Sequence, residues 1–449
     1  MKNETTMAKK DKYLLYGLVV GLSILLILRD INGISINKFI YFGFTVALMA
    51  AANYQTLVYM ICFVLPLVCG LPGTYIMPCA FVLLMFKRGS VKLMQIVPVA
   101  IILLMELFAA FWYPSVDFAL IVNYVSFAAV MVFLIQDDRE IDYMQCITLY
   151  VLGVLLLCGV ILYATLRDAP ANWMKLFAKG EFRFGDIHEV EGMTLNLNAN
   201  SLAYYSLTGI ACGLLLTEKA KGTGKVWYIA LIALFVLVGF FTVSRSWLLM
   251  AAACLLLYIL SKLRNPKHFI MLLLTIVVAA VLVFYWFKKN PELLSGFETR
   301  LNDDTVETGG SRTIIFQKYM DIYFSDPRFI FFGTGVTQYR DVVGTVGSIH
   351  NGTQQILVCC GFIGFAVYMI VLFGPAIKAN RRKWMPLAYW LPLLSVIAFT
   401  QTIQFLNPTM LMLPYIIGIY ALRAGGESNE NISDNRGHGG GQPVGLETR

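Results

Sequence analysis

Residues 143–165 read YMQCITLYVLGVLLLCGVILYAT, an apolar run without one charged side chain. At about 1.5 Å per residue, a helix of this length crosses the roughly 30 Å hydrocarbon core of a bilayer. Comparable runs lie on both sides of it, near 13–28, 37–52, 55–69, 73–86, 93–112, 117–135, 199–217, 226–243, 246–261, 268–287, 350–374, 385–402 and 408–422. The chain of 449 residues is 58% hydrophobic and 14% charged, with a mean hydropathy of +0.69. A soluble domain is about 45–50% apolar and about 25% charged, so only a lipid environment fits. The expected fold class is all-α: a polytopic transmembrane helical bundle of about 14 spans (12 to 14), with a long outer loop that itself contains helices. One membrane domain is expected over residues 1–423, followed by a Gly-, Asn- and Ser-rich disordered tail over 424–449. The basic N-terminal residues precede a long apolar stretch with no small-residue cleavage site, so the first helix is expected to be retained as an anchor.

The charge pattern gives orientation. The formal net charge is +8, and the basic residues fall in alternate short connections. One set holds Lys2, Lys9, Lys10 and Lys12; Lys87, Arg88 and Lys92; Arg139; Lys219, Lys221 and Lys225; Lys262, Arg264 and Lys267; and Lys378, Arg381, Arg382 and Lys383. The opposite set holds little beyond Arg29 and Lys38. The positive-inside rule then expects both termini in the cytoplasm and an even number of spans, and it explains the positive charge without any nucleic acid. All nine cysteines lie in apolar segments, which argues against a disulfide framework or a thiol-ligated metal and for packing roles.

Two long connections fall on the side opposite the basic clusters, at about 166–198 and 288–349. Loops of that size in a compact protein are usually functional or disordered. The second is not of low complexity. Ser311 reads as a helix cap, and the mixed stretch from Arg312 to Phe324 stops at Asp326-Pro327, so a helix lying along the membrane surface is expected there.

Few residues in this apolar chain are suited to chemistry. Arg245 lies between two apolar helices at the outer junction of the ninth and tenth spans, where a guanidinium needs an anionic partner; the alternative is an arginine that snorkels to lipid headgroups. His350 opens the twelfth span after a Gly-rich approach, and a neutral imidazole there can accept a proton from a hydroxyl near neutral pH, or simply anchor the helix at the interface. Asn351 follows it. Arg312, together with Lys175, Lys179 and Arg183 in the first loop, makes the outer face positive enough to hold a diphosphate, although the first-loop residues also read as solvated charges. Asn198, Asn200 and Ser201 open the eighth span as substrate ligands or as helix caps. Glu106 is a carboxylate inside the fifth span, either the partner of some arginine or a catalytic acid. No phosphate-cradling GxxxxGK[ST], HExxH or Cys/His metal spacing occurs, so ATP-driven transport and metal hydrolysis lose support and no cofactor is expected.

Five stretches carry a resemblance. They are the segment from Asn196 to Ala203, Thr242-Val-Ser-Arg-Ser-Trp247, Gly310-Ser-Arg-Thr-Ile-Ile-Phe316, Asp326-Pro-Arg-Phe-Ile-Phe-Phe-Gly-Thr-Gly335 and the segment from Ser348 to Gly364. In this order the chain resembles the O-antigen ligase and polymerase superfamily of bacterial membrane glycosyltransferases. The resemblance implies metal-independent, inverting transfer of a glycan from a polyprenyl diphosphate to a sugar hydroxyl, on the outer face of the inner membrane. It implies catalytic roles for His350, Arg245 and Arg312: the two arginines hold the diphosphate and His350 deprotonates the acceptor. Asn198, Asn200, Asn351 and Arg183 are the expected substrate-binding residues, and Asn198-Ala-Asn200 departs from the family's frequent Asn-Pro-Asn. The partners implied are a lipid-linked oligosaccharide donor, a glycan acceptor, membrane lipids and, for a polymerase, a chain-length co-polymerase. A count near fourteen spans favours polymerase over ligase. A flippase or solute transporter is the reading from another class, but it calls for paired repeats or helices broken in both halves; a membrane scaffold leaves the second loop unexplained.

Overall fold

A computed structural model of the chain describes residues 7–112, 117–179 apart from 138 and 140, 182–185, 197–261, 310–344 apart from 338, 349, 351–380 and 413–424, with isolated positions between 263 and 295. The described residues are helical and contain no strand. The helices are α1 (Lys9–Asp30), α2 (Lys38–Ala51), α3 (Tyr54–Val64) with a 3-10 continuation (Leu65–Gly70), α4 (Gly73–Arg88), α5 (Leu93–Trp112), α6 (Phe118–Ile135), α7 (Tyr143–Arg167), α8 (Trp173–Ala178), α9 (Ala199–Lys219), α10 (Thr223–Phe241) and α11 (Arg245–Ser261). They are followed by α12 (Gly310–Ser325), α13 (Pro327–Phe332), α14 (Tyr339–Val343), α15 (Gly352–Asn380) and α16 (Leu413–Ala424).

Among the described residues seven helices are long and apolar enough to cross a membrane, namely α1, α5, α6, α7, α9, α10 and α15. Four shorter apolar helices accompany them, α2, α3 with its 3-10 extension, α11 and α16. Most of the runs expected from hydropathy thus appear as helices, several of them shorter than a full crossing. The runs at 268–287 and 385–402 and the tail from 425 fall outside the described residues, the first apart from isolated positions.

The side-chain bonds reveal an antiparallel order with two chemically different ends. At one end, Asp11 of α1 accepts from the backbone and side-chain amides of Asn53, each at 2.9 Å. Lys87, closing α4, donates to the carbonyl of Ala50 at the end of α2 at 2.8 Å. Arg88 reaches Asp137 beyond α6 at 3.2 Å and bonds to Gln95 at the start of α5. Arg139 lies 4.5 Å over the Tyr54 ring, and Arg423 of α16 donates to the carbonyl of Ile135 at 3.0 Å. This basic end therefore gathers members of the charge set read from the sequence. At the far end, Arg29 pairs with Asp30 at 2.8 Å and donates to Gly70 O at 2.7 Å, and Arg167 at the end of α7 donates to Ile31 O at 3.0 Å.

The core runs through α3, α7 and α9, whose side chains are buried along most of their length. Tyr150 of α7 meets Thr208 of α9 hydroxyl to hydroxyl at 2.8 Å, satisfying two polar groups that would each be costly in an apolar interior. The nine cysteines are all free and seven are buried, in keeping with packing roles.

Candidate active site

Apart from Glu106, which lies inside the bundle, the candidate residues that the structure describes fall at the far end in two groups. The first is built on the α10–α11 hairpin. Its turn is only Thr242-Val243-Ser244, and it closes because Val243 takes a left-handed conformation at φ 51°. For a β-branched residue this conformation costs on the order of 1–3 kcal/mol and tends to occur where the surroundings enforce it. The enforcement is visible. Thr242 Oγ1 donates to Gly239 O at 2.6 Å, and Trp247 Nε1 donates at 3.1 Å to Ser206 Oγ of α9. The Trp247 indole packs against Gly239, where an added Cβ would come within 2.1 Å of the ring. Arg245, half-buried and the first residue of α11, thus follows directly on this constrained turn.

The first loop docks on the same hairpin. Phe184 N donates to Phe241 O at 3.1 Å, and the two rings stack at 4.9 Å, with Trp173 and Phe177 of α8 around them. Arg183 is half-buried beside this cluster, whereas Lys175 and Lys179 are exposed, as solvated charges would be. Asn198 is a helix cap: its side chain accepts from Ser201 N at 2.8 Å. Asn200 is exposed in the first turn of α9.

The second group joins the α12–α14 segment to the start of α15. Arg312 lies in the first turn of α12, one turn before Phe316. Phe316 O accepts from Gln354 Nε2 of α15 at 2.9 Å, so the helix bearing Arg312 is tied to the beginning of α15. There Asn351 is the cap, its Oδ1 accepting from Gln354 N at 3.1 Å. A second glutamine, Gln355, donates to Tyr339 OH of α14 at 3.4 Å, and the Tyr339 and Tyr319 rings stand 5.8 Å apart. His350 itself and the Arg312 side chain lie outside the described residues. The expected helix is present, but it starts at Gly310, which puts Ser311 inside it rather than at its cap. It ends, as expected, before Asp326, which caps α13 by accepting from Arg328 N at 2.8 Å. Arg328 also bonds to the Asp326 carboxylate and holds it below the usual carboxylate range.

The α13–α14 connection enters the bundle. The helix α15 is broken at Gly361, where φ is 62°. Thr334 N and Gly335 N donate, each at 2.9 Å, to the carbonyls of Val358 and Cys359 beside that break. Glu106 of α5 receives Val336 N at 3.0 and 3.1 Å on its two oxygens. Among the described residues, the partner of Glu106 is this backbone amide rather than an arginine.

The structure thus ties Arg312's helix to Asn351 and sets Arg245 apart on α11, at the same end of the bundle. Val243, Gln354, Gln355 and Gly333–Gly335 lie within the stretches that carry the resemblance, but the sequence alone gave them no structural role, and Val336 falls outside those stretches. Asn351 with Gln three residues on is a capping pattern that points to Gln354; for the others, the stretches marked the place but not the contact. Residues 228–369 match the family model described as O-Antigen ligase. Neither a curated protein nor a solved structure matches the chain. The matched stretch runs from α10 through the hairpin, α12 and α13 into α15, and over it the chain is similar to the O-antigen ligase family.

Proposed function

We propose that the protein transfers a glycan from a polyprenyl diphosphate carrier to a sugar hydroxyl, without a metal and with inversion, at the outer face of the bacterial inner membrane. The observation that carries this reading is the extent of the family match, which takes in Arg245, Arg312 and His350 together. The basic end of the bundle then faces the cytoplasm, with both termini on that side. In the reaction, His350 removes the proton of the acceptor hydroxyl, and the acceptor oxygen bonds to the anomeric carbon as the carbon–oxygen bond to the diphosphate breaks. Charge builds on the departing diphosphate. Arg245 and Arg312 bind its oxygens and stabilise that charge in place before it forms, which is where fixed cations lower a barrier most. Asn198, Asn200, Asn351 and Arg183 line the approach for the sugars.

Polymerisation of O-antigen or capsule-like repeat units is our preferred reaction, and ligation to lipid A core differs from it only in the acceptor. A chain-length co-polymerase is the partner this reading adds. Purified protein in lipid nanodiscs, given a polyprenyl-diphosphate repeat unit in EDTA, is expected to elongate it. With lipid A core added, a polymerase continues to elongate the repeat unit, whereas a product on the core identifies a ligase. A protein that moves the lipid-linked glycan across vesicles without elongating or joining it is a transporter, and the proposal fails.

A further inference from the structure

Inside α5, about 20 Å from its Leu93 end, Glu106 places a carboxylate among apolar side chains. Burying such a group is costly unless it is paired and hydrogen-bonded. No described basic side chain pairs with it; Cys359, Cys360 and Tyr368 are its titratable neighbours, and both of its oxygens converge on Val336 N. What that amide belongs to gives the carboxylate a task. Val336 ends a four-residue segment, Gly333-Thr-Gly-Val336, that fills the break in α15 by hydrogen bonds to Val358 O and Cys359 O. The fit is tight. A Cβ on Gly333 would lie 2.3 Å from Cys359 O, and one on Gly361 would lie 2.4 Å from the backbone of Phe331. The half-helix 352–360 is therefore held from both directions, by this wedge at its end and by Gln354 on Phe316 O near its start.

We propose that Glu106 is a positioning residue: by gripping Val336 it keeps the wedge in the break of α15, and so fixes the half-helix that begins two residues after His350. Glu106 touches no substrate in this account. It acts through Val336 and the wedge on the placement of the residues at the head of α15. The consequence for catalysis rests on the proposed glycan transfer, whereas the latch itself does not.

Cys359 and Cys360, buried beside the wedge, supply a readout independent of activity. Full-length protein in nanodiscs is labelled with a maleimide, and the modification at these two positions is followed by peptide mass spectrometry in wild type, Glu106→Gln and Glu106→Ala. The wild type is expected to be protected. Glu106→Gln keeps one oxygen to accept Val336 N and is expected to stay within about threefold of it; Glu106→Ala is expected to label about tenfold faster, the factor that losing a buried hydrogen bond supplies. In the transfer assay, Glu106→Ala is expected to lower kcat and leave KM for the donor unchanged, with Glu106→Gln restoring kcat. Should Glu106→Ala not fold, Val336→Pro removes the donor instead and is expected to expose the same thiols. Equal labelling of wild type and Glu106→Ala overturns the latch, as does Glu106→Gln labelling as fast as Glu106→Ala. A wild type that transfers no glycan overturns the proposed function alone, because the labelling still decides the latch.

Discussion

At Gly361 the backbone of α15 leaves the helical region, and the carbonyls of the preceding turn turn to the amides of Thr334 and Gly335. At φ 62° and ψ −174° the backbone lies in a region essentially open to glycine alone, where another residue costs about 1–3 kcal/mol, and a side chain there would also meet the Phe331 backbone. Gly361→Ala is therefore expected to destabilise the protein by about 2 kcal/mol or more, seen as a lower midpoint of thermal unfolding in detergent; an unchanged midpoint contradicts the wedge geometry. Hydropathy had no access to this feature. Cys359, Cys360, Phe362 and Ile363 around the glycine read as one continuous apolar run, and a break in a helix is a property of φ and ψ, not of polarity. The isolated charges were legible for the opposite reason: Arg245 and Glu106 stand out because a charge in an apolar run is expensive. Their partners were not, since the amide that meets Glu106 lies 230 residues away in the chain.

Among the elements, the long apolar helices α5, α6, α7, α9 and α10 were legible from length alone, and their observed ends fall within a few residues of the apolar runs. The third expected span was less so. Pro66 stops α3 at Val64 and the chain continues as a 3-10 turn to Gly70, because proline lacks the amide that the α-helical ladder requires. The surface segment followed its caps: Asp326-Pro327 ends α12 and starts α13. The pH dependence of that cap has a definite sign. Arg328 keeps the Asp326 carboxyl below its ordinary value, so the cap's contribution is complete above the unfolded carboxylate value of about 4 and is lost as pH falls through the lowered folded value. The protection of the first-turn amides of α13, measured as exchange relative to the intrinsic rate at each pH, is expected to stay constant from neutrality to about pH 4 and to fall only below it. A loss of that protection between pH 7 and 5 contradicts the assignment.

Over the whole molecule, Lys87, Arg88 and Arg139 from two of the expected basic connections are brought to one end of the bundle, where Arg423 joins them. The Arg88–Asp137 pair there is almost fully buried, at 2% and 0% exposure of the two side chains. Removing one partner strands the other, so Asp137→Ala is expected to cost about 3–5 kcal/mol of stability. Chemical denaturation of the variant checks it, and a loss below about 1 kcal/mol would mean that water reaches Arg88. The far end holds the proposed chemistry, with Arg245 on its hairpin and Arg312's helix tied to the head of α15. The most direct test follows free polyprenyl diphosphate released by purified protein in EDTA, in step with glycan elongation, in wild type, Arg245→Ala, Arg312→Ala and His350→Ala. The account predicts release by the wild type and a loss of about 100-fold or more in each variant; undiminished release in Arg245→Ala and His350→Ala would contradict it.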